Sequence, residues 1–259
     1  MRSTAVRRAA LAASTAALAL LVTACGGGSG DDGKDEGGSS AAPETTAAAK
    51  ALTAAELEKA ALAQADVKSG KVTTKVPAAD NIAQDKVTTD DEACAPLAYV
   101  QAGTFVGTPA ATAKRSWVSE PKKPAEGASV EDSVLAALNI EKVVVTLSSY
   151  EDGGAEKAMK DLTTAAEKCA GGFAYTANGT ETKVLSVATT GAPKGGDEGL
   201  AVTVTIAAEE GVKAPMKVVV VRKGATVAYF PAVNLASAAS GKDFAFPAEI
   251  VDAQVAKLG

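Results

Sequence analysis

Any acid-base chemistry in this sequence must come from carboxylates, lysines, tyrosines or cysteines, because it contains no histidine. The commonest general base and commonest metal ligand are therefore missing. Ser-His-Asp, Cys-His and HExxH constellations cannot be built from it. Asp197 and Glu198, beside one predicted strand start, and Arg222, near a predicted hairpin turn, are the polar residues best placed to line a cleft. Their competing role is structural, with Asp197-Glu198 capping a loop and Arg222 pairing with an acid at a hairpin end. An enzyme using carboxylates or Lys could be built, for example, around Glu198, Lys217 or Arg222, yet no spacing sets two carboxylates together as acid and base. Asp90, Asp91 and Glu92 precede an apolar run, which suits compensation of a helix dipole better than cation binding. The cluster from Asp31 to Glu36 lacks the ligand spacing of an EF-hand loop and reads as a solvated acidic stretch. Neither a cofactor nor a metal is expected.

The three cysteines carry the remaining chemistry. Arg2, Arg7 and Arg8 precede an uncharged run of mostly Ala and Leu from residue 9 to 22, the pattern of a signal peptide. That run is shorter than the roughly 20 apolar residues of a permanent span. Val22-Thr23-Ala24-Cys25 resembles the lipobox cut by the lipoprotein signal peptidase. By that resemblance residues 1–24 are removed and the Cys25 sulfur carries a diacylglycerol, anchoring the chain to the extracytoplasmic face of the cell membrane. Each buried methylene contributes about 0.8 kcal/mol, so two acyl chains hold persistently. With Cys25 acylated, Cys94 and Cys169 form an even pair in an oxidising compartment, and a disulfide between them is the economical reading.

Residues 26–50 contain no Val, Ile, Leu, Met or aromatic side chain and cannot contribute a core. Such a segment is a flexible tether with a reach of roughly 25–30 Å. The expected organisation is therefore a signal peptide over 1–24, a lipidated cysteine with its linker over 25–50, and a single folded domain over 51–259. Loss of the leader removes three basic residues and no acidic ones, which moves the net charge from −5 to −8. Nucleic acid is then not a natural partner, and no basic cluster near the anchor addresses anionic lipid. Aromatics make up 4% of the chain, too few for a stacking platform, and the lone Trp117 suits a core or cleft wall.

The elements that must position these groups are legible in the spacing of apolar residues. Thr53-Ala54-Ala55-Glu56 has the form of a capping box, followed by Leu57, Ala61 and Leu62 on one side, which predicts a helix over 54–64. A strand is expected over 71–76, a helix over 92–101 and a strand over 111–120, ended by Pro121-Lys122-Lys123-Pro124. Ser129 begins a short helix to Leu138, and the β-branched run in 141–150 predicts a central strand. Ala155, Met159, Leu162 and Ala166 then recur at helical spacing up to Cys169, before Gly171-Gly172. Strands over 173–177 and 181–188 flank Asn178-Gly179; another is expected over 200–207. Strands over 217–222 and 225–230 flank Lys223-Gly224. Pro247 opens a closing helix with Val251, Val255 and Leu258 on one side. Helices before and after consecutive hairpins define an α+β fold with an antiparallel sheet.

Several segments together resemble the PknH-like extracellular sensor domain, found in receptor-kinase ectodomains and surface lipoproteins. They are the N-terminal helix, Cys94-Ala95-Pro96-Leu97, the strand ending at Tyr150, the helix ending in Cys169-Ala170-Gly171-Gly172-Phe173, Gly196-Asp197-Glu198, and Val221-Arg222-Lys223-Gly224. The resemblance spans roughly residues 52–258. It implies a non-enzymatic, sensor-like domain with a cleft for a small-molecule, cell-wall or protein ligand. A purely structural or protein-interaction lipoprotein is the alternative, and an enzyme of unknown class is a third. The anchor generates the first prediction: Cys25→Ser should be exported yet recovered in the soluble fraction. A variant that still sediments with membranes in high salt would show that something other than the acyl chains retains it.

Overall fold

The computed structural model describes residues 49–258. The signal peptide expected over 1–24, Cys25 and residues 26–48 of the expected linker lie outside them. Nine strands form one antiparallel sheet: β1 (Lys71–Thr73), β2 (Val87–Thr89), β3 (Ala111–Val118), β4 (Glu141–Ser149), β5 (Phe173–Ala177), β6 (Thr180–Thr190), β7 (Glu198–Ala207), β8 (Lys213–Lys223) and β9 (Thr226–Asn234). Their spatial order is β1-β3-β4-β9-β8-β7-β6-β5-β2. Six α-helices accompany them among the described residues: α1 (Ala54–Ala60), α2 (Ala95–Gln101), α3 (Val130–Leu138), α4 (Gly154–Lys168), α5 (Leu235–Ser240) and α6 (Ala248–Ala256). This is the expected α+β class with its antiparallel sheet. None of these helices is long and apolar enough to cross a membrane.

Strand alternation divides the apolar side chains between two cores. Val218 and Val220 of β8 with Val227 and Tyr229 of β9 point to one face, and Val219 and Val221 with Ala228 and Phe230 point to the other. Period-two alternation normally leaves one face wet, but here both faces of the central strands are buried, so helices must cover both. Helices α2 and α4 cover the first face. Leu97, Ala98 and Val100 of α2 meet Ala155, Ala158, Met159, Leu162, Ala165 and Ala166 of α4 in one apolar cluster. Burying a Leu or Met side chain contributes about 1.5–3 kcal/mol. The buried Cys94–Cys169 disulfide joins the short turn before α2 to the C-terminus of α4.

Helices α1 and α6 cover the second face. Thr53 and Glu56 complete the capping box at the start of α1. The helix stops at Ala60 rather than 64, because the fully buried Gln254 of α6 takes over its end. Gln254 Nε2 donates to the Ala60 carbonyl at 2.8 Å, and its Oε1 accepts from Leu62 N–H at 2.8 Å. Arg115 of β3 locks the same corner, donating to the Leu62 carbonyl at 3.1 Å and to Glu58 Oε2 at 2.7 Å. Trp117 is a core residue on this face, with its indole N–H on the Ser69 carbonyl at 2.9 Å.

Other departures from the predicted elements are equally local. Strand β1 ends at Thr73, before Pro77, and β2 and α5 carry too few apolar residues to be seen in isolation. Strands β8 and β9 run longer than expected because they accommodate Pro215 and Pro231, opposite Thr205 and Val218. The β5–β6 turn forms as predicted: Asn178 and Gly179 have φ of 49° and 83°, the paired positive values that match strand twist. Helix α3 leaves Val130 (84%), Val134 (53%) and Leu138 (37%) exposed, beside Leu235 of α5 at 44%.

The disulfide closes a loop of 75 residues. On the chain-entropy account that constraint contributes up to about 4.5 kcal/mol. Reduction should add two hydrogens by mass and lower the urea midpoint of unfolding. Equal midpoints with and without reductant would show that the bond does not restrain the chain.

Candidate functional site

The structure brings Asp197, Glu198 and Arg222 together. Glu198 and Arg222 are register partners across β7 and β8. The guanidinium of Arg222, 13% exposed, meets Glu198 Oε1 at 2.8 Å, Glu156 Oε1 of α4 at 3.3 Å and Asp197 Oδ2 at 3.4 Å. It also donates to the Gly224 carbonyl at 2.9 Å, while Asp197 Oδ2 accepts from Gly224 N–H at 2.7 Å. Gly196 is required beside this cluster, since a Cβ there would lie 2.3 Å from Val221 Cγ1. The cluster ties the β8–β9 turn to β7 and to the first turn of α4, and its donors are spent on internal acceptors. Lys217, farther along β8, lies 3.0 Å from Asp243 and above the Phe244 ring. Of the early acidic run, Asp91 caps the turn before α2 through Ala93 N–H, and Asp90 accepts from Ala174 N–H. Among the described residues, no group of three or more Cys, Asp or Glu is arranged to hold a metal ion.

A different set of polar residues lines a cavity of about 370 Å³ on the face that carries α2 and α4. The helices lie over the central strands but not over β3 and β4, where alternation presents Lys114, Lys142, Val144, Thr146 and Ser148 to the same side. The covering there is irregular chain, residues 74–84 and 103–107. Thr146 Oγ1 donates to the Gly103 carbonyl at 2.9 Å. Gln84 Nε2 donates to the Phe105 carbonyl at 2.9 Å and to the Gly107 carbonyl at 3.2 Å. Asp80 Oδ1 lies 2.5 Å from Lys142 Nζ. The cavity opens between this strap, the C-terminal end of α2, β4, β9 and the β5–β6 hairpin.

Two of its lining residues each carry an acceptor with no protein partner among the described residues, Asp80 Oδ2 and Gln101 Oε1, and both oxygens are sealed from the cavity as well as from solvent. Gln101 is 6% exposed, and its Nε2 donates to the Leu97 carbonyl at 3.3 Å. Leaving such an acceptor unpaired costs about 1–3 kcal/mol. The remaining wall is largely apolar, with Ile82, Val144, Met216 and Val233. On the other side of the strap, a second cavity of about 570 Å³ is bordered by Lys114. Burial pushes the Lys114 pKa down, opposed by the nearby charge of Asp80. Neither Asp80 nor Gln101 drew attention in the sequence. Asp80 sits in a Pro-Ala-Ala-Asp-Asn loop with no periodic neighbours, and the one signal for Gln101 was a polar residue four positions after Leu97, on the apolar side of its helix.

A tyrosine pair underlies the strap. Tyr150 Oη donates to the Val106 carbonyl at 2.7 Å and lies 2.6 Å from Tyr229 Oη, which accepts from Val106 N–H at 3.4 Å. Burial pushes Tyr150 up to about 12 and Tyr229 well above its ordinary value; Tyr175 is also raised by burial. Below pH 10 both folded and unfolded tyrosines keep their protons. Between 10 and about 12 the unfolded chain releases a proton from Tyr150 that the folded chain retains, so stability falls as pH rises.

No family model matches the chain, and no curated protein matches it. Among solved structures it is similar to the extracellular domain of PknH from Mycobacterium tuberculosis, at 17% identity and a TM-score of 0.42, over 81% of this chain and 95% of that one.

Tyr150→Phe should lower stability at neutral pH by removing the hydroxyl bridge, and flatten the alkaline loss by up to about 1.4 kcal/mol per pH unit. Urea unfolding across this alkaline range measures both. Parallel curves for the two proteins would mean that Tyr150 ionises as readily folded as unfolded.

Proposed function

We propose that this chain is a membrane-anchored, extracytoplasmic lipoprotein whose domain binds a ligand without turnover, in the cavity walled by Asp80, Gln101 and Lys142. One observation carries the reading: a mostly apolar concavity of about 370 Å³ sets Ile82, Val144, Met216 and Val233 beside a few polar residues, Asp80, Gln101 and Lys142. Small-molecule sites typically combine apolar walls with a few fixed polar groups. The location is supported by the signal-peptide pattern, by Val22-Thr23-Ala24-Cys25 and by the Cys94–Cys169 disulfide, a bond favoured in oxidising compartments. The sensor-like role is supported by the sequence resemblance to extracellular sensor domains. Binding rather than catalysis is the economical reading of a histidine-free chain whose Asp197, Glu198 and Arg222 neutralise one another.

A second reading, a protein-interaction module of the cell envelope, is favoured by the exposed apolar stripe of Val130, Val134 and Leu138 beside Leu235. Native and denatured masses of protein purified from its own membrane discriminate the two. The binding reading expects an extra mass in the native spectrum that vanishes on denaturation. It should also be absent from Val144→Trp, which fills the cavity. A bare native mass in both proteins would support the interaction module. Chelator-sensitive turnover of wall or lipid substrates, abolished by replacing Glu198, would overturn both.

A further inference from the structure

We propose that the larger cavity, across the strap from the first, holds an anionic group, a phosphate or a carboxylate, at the ammonium of Lys114. Strands β3 and β4 carry three cations, Lys114, Arg115 and Lys142. Glu58 meets Arg115 and Asp80 meets Lys142, whereas Lys114 Nζ has no hydrogen-bond or ion-pair partner among the described residues. Asp80 does not answer it by contact, since Oδ1 meets Lys142 and Oδ2 is sealed. Lys114 Nζ is not among the sealed atoms, so a molecule in the cavity that Lys114 lines can reach it. A half-buried ammonium loses water on folding, and here the protein returns no acceptor. The same desolvation pushes the Lys114 pKa down, and an anion beside it would oppose that shift.

The charges around the cavity favour the same sign of ligand. Glu58 is the one carboxylate among the described residues that line it, and its Oε2 is engaged by Arg115 at 2.7 Å. Lys75, exposed in the same lining, adds a second positive charge. Asp80 would oppose an anion at Lys114, but Lys142 offsets its charge. The chain as a whole carries −5 and repels anions, so the attraction must come from this local excess of cations. An ammonium offers three donors, and a phosphate or carboxylate oxygen is the acceptor that makes the shortest and strongest bond with them. Uncharged partners stand nearby in the lining, among them Thr74, Asn81 and Thr112. A volume of about 570 Å³ exceeds a single phosphate and lies within the range of small-molecule sites, which leaves room for the body of a molecule that bears the group. None of this depends on the first cavity being occupied.

NMR titration of the full chain in detergent, at low ionic strength, with inorganic phosphate, acetate and the neutral acetamide tests this. Phosphate or acetate should shift the amide signals of Thr104, Thr112 and Lys114 to saturation while acetamide does not, and the tighter of the two anions identifies the head group. Lys114→Met should weaken that binding at least about tenfold, the scale of one charged hydrogen bond. Lys160→Met, at an exposed position on α4, should leave it unchanged. Urea unfolding shows that both variants fold, and acetate against acetamide on the unmodified protein decides where Lys114→Met does not. Equal shifts with acetate and acetamide would overturn the proposal, as would equal losses in the two variants, which mark general screening of surface charge. Absence of saturable shifts with either anion would overturn it too. Saturation centred on the signals of Val144 and Val233 would place the anion in the first cavity, overturning the site at Lys114 while leaving the ligand reading of that cavity in place.

Discussion

A sheet that buries both faces of its central strands needs cover on both sides, and most of this molecule follows from how that cover is divided. Alternation in β8 and β9 sends Val218, Val220, Val227 and Tyr229 one way and Val219, Val221, Ala228 and Phe230 the other. Helices α2 and α4, joined by the Cys94–Cys169 bond, answer the first face, and α1 and α6, joined through Gln254, answer the second. Without either pair, a row of β-branched residues would meet water at about 25 cal/mol for each Å² exposed. The two helix pairs meet this need differently. One is held covalently and the other by a buried amide that completes the end of a helix.

The cover is uneven, and its shortfall is where the cavities lie. Over β3 and β4 the first face carries Lys114, Lys142, Thr146 and Ser148, side chains that an apolar helix could not bury without leaving polar atoms unpaired. Irregular chain can supply carbonyls there, as Gly103 does for Thr146, and it leaves gaps that a helix would fill. The polar character of one end of the sheet thus explains both the strap and the concavities beside it. A partly buried ion pair such as Asp80–Lys142 gains little stability on balance, because desolvation offsets attraction. Its significance is positional, since it holds the strap and presents opposite charges to the same cavity wall.

The Arg222 cluster shows the contrary use of charge. Carboxylates from Glu156, Asp197 and Glu198 and the Gly224 carbonyl surround the guanidinium, so a helix start, a strand start and a hairpin turn share one hub. Charges that satisfy one another in this way fix geometry and leave little to offer a ligand.

Local signals were sufficient for much of this fold. The capping box at Thr53 and Glu56, the stripe of Ala155, Met159, Leu162 and Ala166, the Asn178-Gly179 turn and the alternation in β7 each depend on neighbours within a few residues, so spacing alone reveals them. The sequence also pointed to the antiparallel class and to the pairing of Cys94 with Cys169, since consecutive hairpins, and two cysteines left once Cys25 is set aside, leave few alternatives. Tertiary structure alone decided the end of α1, cut short by Gln254 from the far end of the chain, and the strand order that makes β1 and β2 the edges. It also decided the candidate site. Asp80, Gln101 and Lys142 come from a loop, a helix and a strand with no common period, and what brings them to one cavity is the way the strap packs over the sheet, a property of the packed molecule that no spacing of residues encodes.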